Sequence, residues 1–313
     1  MATENFTRDG LQKTVQHLLC SSDLAEGLHG QLTFLSVLYS FLSVTAFLGN
    51  ALILIALHKE SSLHPPSKLL LRCLATTDLC VGLVTQPFVV TCWMSAVNAH
   101  WKICRYALAA SFTTAYIFCG VSVLTLTAIS VDRLLALLLG LRYRQVVTLK
   151  RTHVIVITFW VVSTVTLAMQ FWNPVITLWC GNIGTSLCLV TSIFSYTKIF
   201  FTLRHHQNQV QHLVQQPNQT NQLNIARYKK AVSSAIWLQL TMVACYLPYG
   251  VVTTLAPDSG QISSVYYTWL CASGTVLFLN SSLNPIFYCW KIEEVRQAVR
   301  DTIRQLVCHC FSS

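Results

Sequence analysis

The sequence predicts an all-α membrane protein: a seven-transmembrane-helix bundle followed by a short amphipathic eighth helix. Three observations carry this reading. Of 313 residues, 53% are hydrophobic and only 10% are charged, against about 25% charged in ordinary globular chains. Apolar runs recur near residues 32–57, 68–93, 103–137, 153–173, 174–203, 230–255 and 263–290, each longer than the ~18 residues that qualify a helix to span a bilayer. Threading those seven runs across a membrane also puts nearly all the basic residues on one side.

Residues 1–31 are mixed in character and read as an extracellular tail; the first run then acts as a signal-anchor span. The fourth and fifth runs share a stretch without a single Asp, Glu, Lys or Arg between Arg151 and Lys198. A span takes about 20 residues, so this stretch is too long for one helix and barely long enough for two. Asn173-Pro174 marks the turn, because proline removes a backbone donor and biases the residue before it away from helix. Residues 32–290 thus form the transmembrane domain. Within 291–313, Ile292, Val295, Val299, Ile303 and Leu306 mark one apolar face, with Arg296, Arg300 and Arg304 among the charged positions. Such a helix lies along a membrane surface.

Charge fixes the orientation. With the N-terminus outside, Lys59, Lys68, Arg72, Arg142, Arg144, Lys150, Arg151, Arg204, Arg227, Lys229, Lys230, Lys291, Arg296 and Arg300 all fall inside the cell. Arg8, Lys13, Lys102 and Arg105 remain outside, diluted by five acids. The net charge of +10 is therefore an orientation signal, and no nucleic-acid partner is expected. Asn5-Phe-Thr7 is a glycosylation sequon on the outer tail; those at Asn218 and Asn280 fall inside the cell and inside a helix, and read as chance. Most of the thirteen cysteines lie in apolar helices as small buried hydrophobes. Cys20, Cys92, Cys104, Cys180 and Cys271 stand near the oxidising face, and spacing does not decide which of them pair. The Gln-, Asn- and His-rich segment 205–222 is expected to be a solvated linker.

Ionisable groups at membrane depth are costly and mark function. Only Asp78 and Asp132 are embedded acids, the latter beside Arg133. Ala115, Cys119, Ser122, Leu126, Ile129 and Arg133 step by four and three, which places them on one stripe of the third helix. Alone, Ser122 would be a packing serine, common between membrane helices. It does not stand alone. The chain carries Gly49-Asn50 in the first run, Leu74-Ala75-Thr-Thr-Asp78 in the second and Ser130-Val-Asp132-Arg133 closing the third. Trp160 lies in the fourth, Cys245-Tyr-Leu-Pro248 in the sixth and Asn284-Pro285-Ile-Phe-Tyr288 in the seventh. In this set, order and depth the sequence resembles the rhodopsin-like (class A) G-protein-coupled receptors over nearly its whole length.

The resemblance implies a plasma-membrane receptor that binds an extracellular ligand within the bundle and activates a heterotrimeric G protein, with arrestin and a receptor kinase as further partners. It implies no cofactor beyond an allosteric sodium ion, held by Asp78, Ser122, Asn280, Ser281 and Asn284 and braced by Asn50. Asp132 would restrain Arg133 until activation frees it, with Tyr196 and Tyr288 swinging in as support. Leu141, succeeded by Tyr143, matches the apolar plug that enters a G-protein groove. Lys229, Lys230, Pro248 and Pro285 belong to the same coupling machinery, and Cys308 and Cys310 match palmitoylation sites. By position, Gln86, Phe88, Ala115, Tyr116, Cys119, Tyr246, Tyr249, Thr253, Gly274 and Phe278 would line the ligand pocket. None of these is charged, and Ala115 stands where amine receptors place an aspartate. The expected ligand is therefore a neutral small molecule or lipid, with a peptide at the open mouth as the alternative.

Departures from the family are also visible. Tyr246, Met242 and Cys188 replace the usual tryptophan, phenylalanine and proline of the activation relay. Leu134 comes after Arg133 in place of a tyrosine, Gly140 replaces a proline, and Tyr228 replaces the sixth-helix acid that often latches Arg133. Cys104 stands one helical turn, about 6 Å, farther out than the family's cysteine. The second outer loop scarcely exists, and in this the chain resembles the melanocortin and lysolipid–cannabinoid-like branches. Other functions fit less well. A transporter or channel, the main alternative, would show internal repeats or paired midplane charges. A retinal photoreceptor needs a lysine where Phe278 stands. A membrane enzyme needs a nucleophile–base pair or metal spacing that the bundle lacks.

Overall fold

Asn173 and Pro174 divide the charge-free stretch into two helices. The computed structural model describes residues 20–59, 63–213, 240–255, 264–291 and 293–311. In it a helix starts at Pro174, where a missing N–H has no intrahelical partner to lose. The Asn173 side-chain oxygen accepts from the N–H groups of Val175 (3.0 Å) and Ile176 (3.4 Å), capping that start. Only the 3-10 turn Met169–Phe171 and Trp172–Asn173 lie between it and the preceding helix.

The helices are α1 (Ser22–Lys59), α2 (Pro65–Val97), α3 (Trp101–Leu139), α4 (Leu149–Ala168), α5 (Pro174–Leu213), α6 (Leu240–Thr254), α7 (Ser264–Lys291) and α8 (Glu293–Phe311). Six of them are long and apolar enough to cross a membrane; α6 is shorter, being the described part of the sixth run. Residues 230–239 of that run lie outside the described set, as do Asn5, Tyr228, Lys229 and Lys230. Two boundaries differ from expectation. α1 begins at Ser22, before its apolar run. The segment expected as a linker from residue 205 stays helical to Leu213, because no Gly or Pro interrupts it before Pro217.

α3 packs on α2, α4 and α5, and α1 packs on α2, α7 and α8. Val295 and Val299 of α8 join the buried core, and Lys59 of α1 donates to Gln305 of α8 (2.5 Å). Asn50, Asp78, Ser122, Asn280, Ser281 and Asn284 are buried, whereas Phe34, Phe41, Ile157, Val190 and Phe201 are exposed. Polar groups inside and apolar groups outside is the arrangement for a chain whose solvent is hydrocarbon.

α2 is not a uniform helix. Val81–Thr85 form a π-helical turn, in which the Gln86 N–H donates to the Val81 carbonyl. The Gly82 carbonyl would then turn to residue 87 for a donor. That residue is Pro87 and has none. Ser43 of α1 supplies it instead, its hydroxyl donating to the Gly82 carbonyl at 2.6 Å. Glycine at position 82 allows the approach: a Cβ there would stand 2.8 Å from the Phe47 nitrogen and 2.9 Å from both Ala46 Cβ and the Ser43 carbonyl oxygen. At the cytoplasmic end of α3, Gly140 takes φ +49°, a conformation that favours glycine, and turns the chain into the short helical segments Gly140–Arg142 and Tyr143–Val146.

Candidate functional site

Three helices meet on one carboxylate. Asp78 of α2 is fully buried. Its Oδ1 accepts from Ser281 (2.8 Å) and Ser122 (3.4 Å), and its Oδ2 accepts from Asn284 Nδ2 (2.7 Å). Hydrogen bonds to a charged group stabilise by about 1.5–3 kcal/mol each, so Asp78 joins α2 to α3 and α7. Asn50 acts one step away. Pro285 cannot donate to the carbonyl four residues back, leaving the Ser281 oxygen without its helical partner. Asn50 Nδ2 fills that vacancy at 2.9 Å while also donating to Ala46 O at 2.8 Å. Gly49 lets α7 in: a Cβ there would lie 3.0 Å from Pro285 Cγ. Asn50 Oδ1, Asn284 Oδ1 and both polar atoms of Asn280 are buried without a hydrogen-bond partner. Carboxylate, hydroxyl and amide oxygens are the ligand types that hard cations take.

At the cytoplasmic end, Asp132 is 4% exposed and shared among several partners. Tyr143 donates to its Oδ1 at 2.6 Å, Ser67 donates to its Oδ2 at 2.9 Å, and an Arg133 nitrogen lies 3.4 Å from Oδ2. The His64 ring sits 5.0 Å from that of Tyr143. Burial, with Arg144 and Arg133 nearby, holds the His64 imidazole below its ordinary value despite Asp132. Tyr196 and Tyr288 are buried, the Tyr288 hydroxyl without a partner, and Leu141 is 99% exposed. Pro248 lies in α6, and Cys308 and Cys310 in the last turns of α8. The side chains of these two cysteines lie outside the described set.

Toward the outer end, a cavity of about 540 Å³ opens between α3, α4, α5 and α6. Ala115, Tyr116, Cys119, Tyr246, Tyr249 and Thr253 line it as positioned from sequence; Gln86, Phe88, Gly274 and Phe278 do not. Phe278 packs edge-on against Tyr39 at 5.7 Å, and Gly274 faces the Tyr39 hydroxyl. Gln86 is buried with neither amide atom paired, and Phe88 is partly exposed. For the two α2 residues the reason is that no part of α2 borders this cavity, whose lining comes from α3, α4, α5, α6 and Leu277 of α7. Sequence reasoning also missed Asn182 of α5, which accepts from Thr253 across the cavity at 3.2 Å. The signal available was a lone amide two turns below Pro174 in an apolar helix. Tyr116 reaches the Thr177 carbonyl at 3.2 Å and Tyr246 the Cys119 carbonyl at 3.5 Å.

The model of the seven-transmembrane receptor (rhodopsin) family matches residues 49–173 and 167–288. The chain belongs to this family. The receptor is 23% identical to trace amine-associated receptor 8c of Rattus norvegicus, over 95% of its own length and 94% of that protein's. It is 23% identical to probable G-protein coupled receptor 45 of Homo sapiens over 87% and 82%, and 26% identical to adenosine receptor A3 of Ovis aries over 82% and 85%. It is thus a multi-pass membrane receptor coupling an extracellular ligand to a G protein. Nothing in these similarities speaks for a transporter or channel.

In this receptor the third-helix cysteine has an unusual partner. Cys104 pairs with Cys20, two residues before α1, and not with a second-loop cysteine, because the Asn173-Pro174 turn leaves no loop to carry one. Cys92, Cys180 and Cys271 are free thiols.

Proposed function

We propose that the receptor resides in the plasma membrane with its N-terminus outside, and that its native agonist is a neutral, largely apolar molecule, lipid or purine-like in character. The observation carrying this is the cavity wall, which holds no acidic or basic side chain. An ammonium buried there would lack a carboxylate partner and is strongly disfavoured, so the trace-amine name of the 23%-identical relative does not transfer. Three tyrosine faces with a few neutral polar groups, the Asn182–Thr253 contact among them, suit an apolar body bearing few polar groups. A screen of neutral lipids, nucleosides, peptides and biogenic amines, read through a panel of G-protein biosensors, tests this. A neutral compound should activate, and Tyr249→Ala should weaken it at least about tenfold, the loss of ~1.4 kcal/mol. Potent activation by an amine, insensitive to Tyr249→Ala, would overturn the assignment.

Sodium is the second part of the reading. Asp78, Ser122, Ser281, Asn284 and Asn280 bind the ion in the resting packing, supported by the unpartnered amide oxygens around the carboxylate. On activation Arg133 leaves Asp132, Tyr196 and Tyr288 move in beside it, and Leu141 enters the G-protein groove; arrestin and a receptor kinase engage the same face. Asp78→Asn should abolish any sodium dependence of agonist affinity and blunt signalling while leaving surface expression broadly intact. Unchanged sodium sensitivity in that variant would remove the ion from Asp78.

A further inference from the structure

Three sulfur atoms meet at the outer ends of α1, α2 and α3. Cys104 is bonded to Cys20 across 84 positions, and the sulfurs of Cys20, Cys92 and Cys104 all lie within 4.8 Å of one another. Cys92 is a free thiol, 4% exposed, with its Sγ 3.9 Å from that of Cys104. Nothing in the receptor's coupling or ligand machinery uses it. Any small apolar side chain would fill the same space, yet a thiol stands beside a disulfide. We propose that Cys92 is an exchange partner of the Cys20–Cys104 disulfide, giving the receptor two interconvertible outer cross-links.

The chemistry balances without an added oxidant or reductant. The Cys92 thiolate attacks Cys104 Sγ, and the Cys92–Cys104 bond forms as the Cys104–Cys20 bond breaks. The electron pair leaves on the Cys20 sulfur, which takes up the proton that Cys92 gave up. Displacement at sulfur is in line, and the three sulfurs form a compact triangle, so Cys92 must first turn behind Cys104. All three sit among apolar side chains that include Leu28, Leu32 and Tyr267, which makes the exchange intramolecular and slow.

The two forms differ in what they hold. The Cys20 link fastens the start of α1 to α3. The Cys92 link staples α2 to α3, neighbours already joined through Asn98–His100, across only 12 positions. Cys20–Cys104 is the form the structure holds. Exchange releases Cys20 from α3.

The test maps disulfides in the full-length receptor in membranes, by acid quench, thiol alkylation and mass spectrometry of non-reduced peptides. Because the thiolate is the attacking species, incubation near pH ~8.5 is compared with incubation about two pH units lower, with no reductant in either. The Cys92–Cys104 peptide should appear with a matching gain of alkylated Cys20, at least about tenfold faster at the higher pH. In Cys20→Ser, oxidised by the disulfide donors of the secretory pathway, Cys92–Cys104 should form outright, and adding Cys92→Ser should leave Cys104 alkylated. Absence of the Cys92–Cys104 peptide from the wild-type receptor overturns the proposal, whether or not Cys20→Ser reaches the surface.

Discussion

Replacing Gly82 with leucine should remove nearly all folded receptor from the cell surface. The first atom of any side chain there would stand 2.8 Å from the Phe47 backbone nitrogen and 2.9 Å from the Ser43 carbonyl oxygen. Those are backbone atoms inside α1, and they cannot swing aside. The helices must part instead, and parting breaks the 2.6 Å bond from Ser43 to the Gly82 carbonyl. Overpacking costs about 1–3 kcal/mol and a stranded buried carbonyl about as much again, against a total stability of ~5–15 kcal/mol for an ordinary domain. Ser43→Ala, which strands the carbonyl without adding bulk, should cost only that second part, about 1–3 kcal/mol. Surface staining relative to total protein, with thermal unfolding in detergent, separates the two. Wild-type surface levels for Gly82→Leu would show that α1 and α2 are not pressed together there.

Asp132→Asn should raise ligand-free signalling about tenfold, and Arg133→Ala should abolish signalling at unchanged surface expression. Tyr228 stands where the family often has a latching acid, and among the described residues the ion pair of Arg133 is with its neighbour Asp132. That grip is divided, because Ser67 and Tyr143 also donate to the carboxylate. Asparagine keeps one oxygen for one of those hydroxyls, turns its amide nitrogen toward the other, and loses the charge that holds Arg133. A bias of ~1.4 kcal/mol shifts a two-state equilibrium tenfold, within the ~1–3 kcal/mol typical of such couplings. The wild-type receptor should itself show measurable ligand-free activity, since one shared pair is a weak restraint. Nucleotide exchange on a panel of purified G proteins, normalised to receptor number, measures all three. Equal basal rates for Asp132→Asn and wild type would mean that Asp132 does not restrain Arg133.

Helix number and depth were legible because each rests on a local property: run length, an Asn-Pro turn, a step of three and four. The meeting of Ser122, Ser281 and Asn284 on Asp78 was legible through the family resemblance, which carried those positions over one by one. What escaped depends on partners distant in sequence. The π turn of α2 is written in Pro87 but needs Ser43 of another helix to satisfy the freed carbonyl, and no sequence signal pairs the two. Phe278 was drawn away by Tyr39, a residue with no family signature. Cys20 could not be chosen from five candidates, because its approach to Cys104 spans 84 positions and leaves no mark in local spacing.

The Asn173-Pro174 turn has a mechanical consequence. A connection this short, reinforced by Thr177 of α5 reaching the Thr166 carbonyl of α4 at 3.4 Å, leaves the outer ends of α4 and α5 no slack between them. The two helices move there as one lever. A ligand that draws α5 inward over the cavity must pull α4 along, and with it Trp160, whose ring stands edge-on to Phe118 of α3 at 6.3 Å. Displacement at the mouth therefore reaches α3 from two sides.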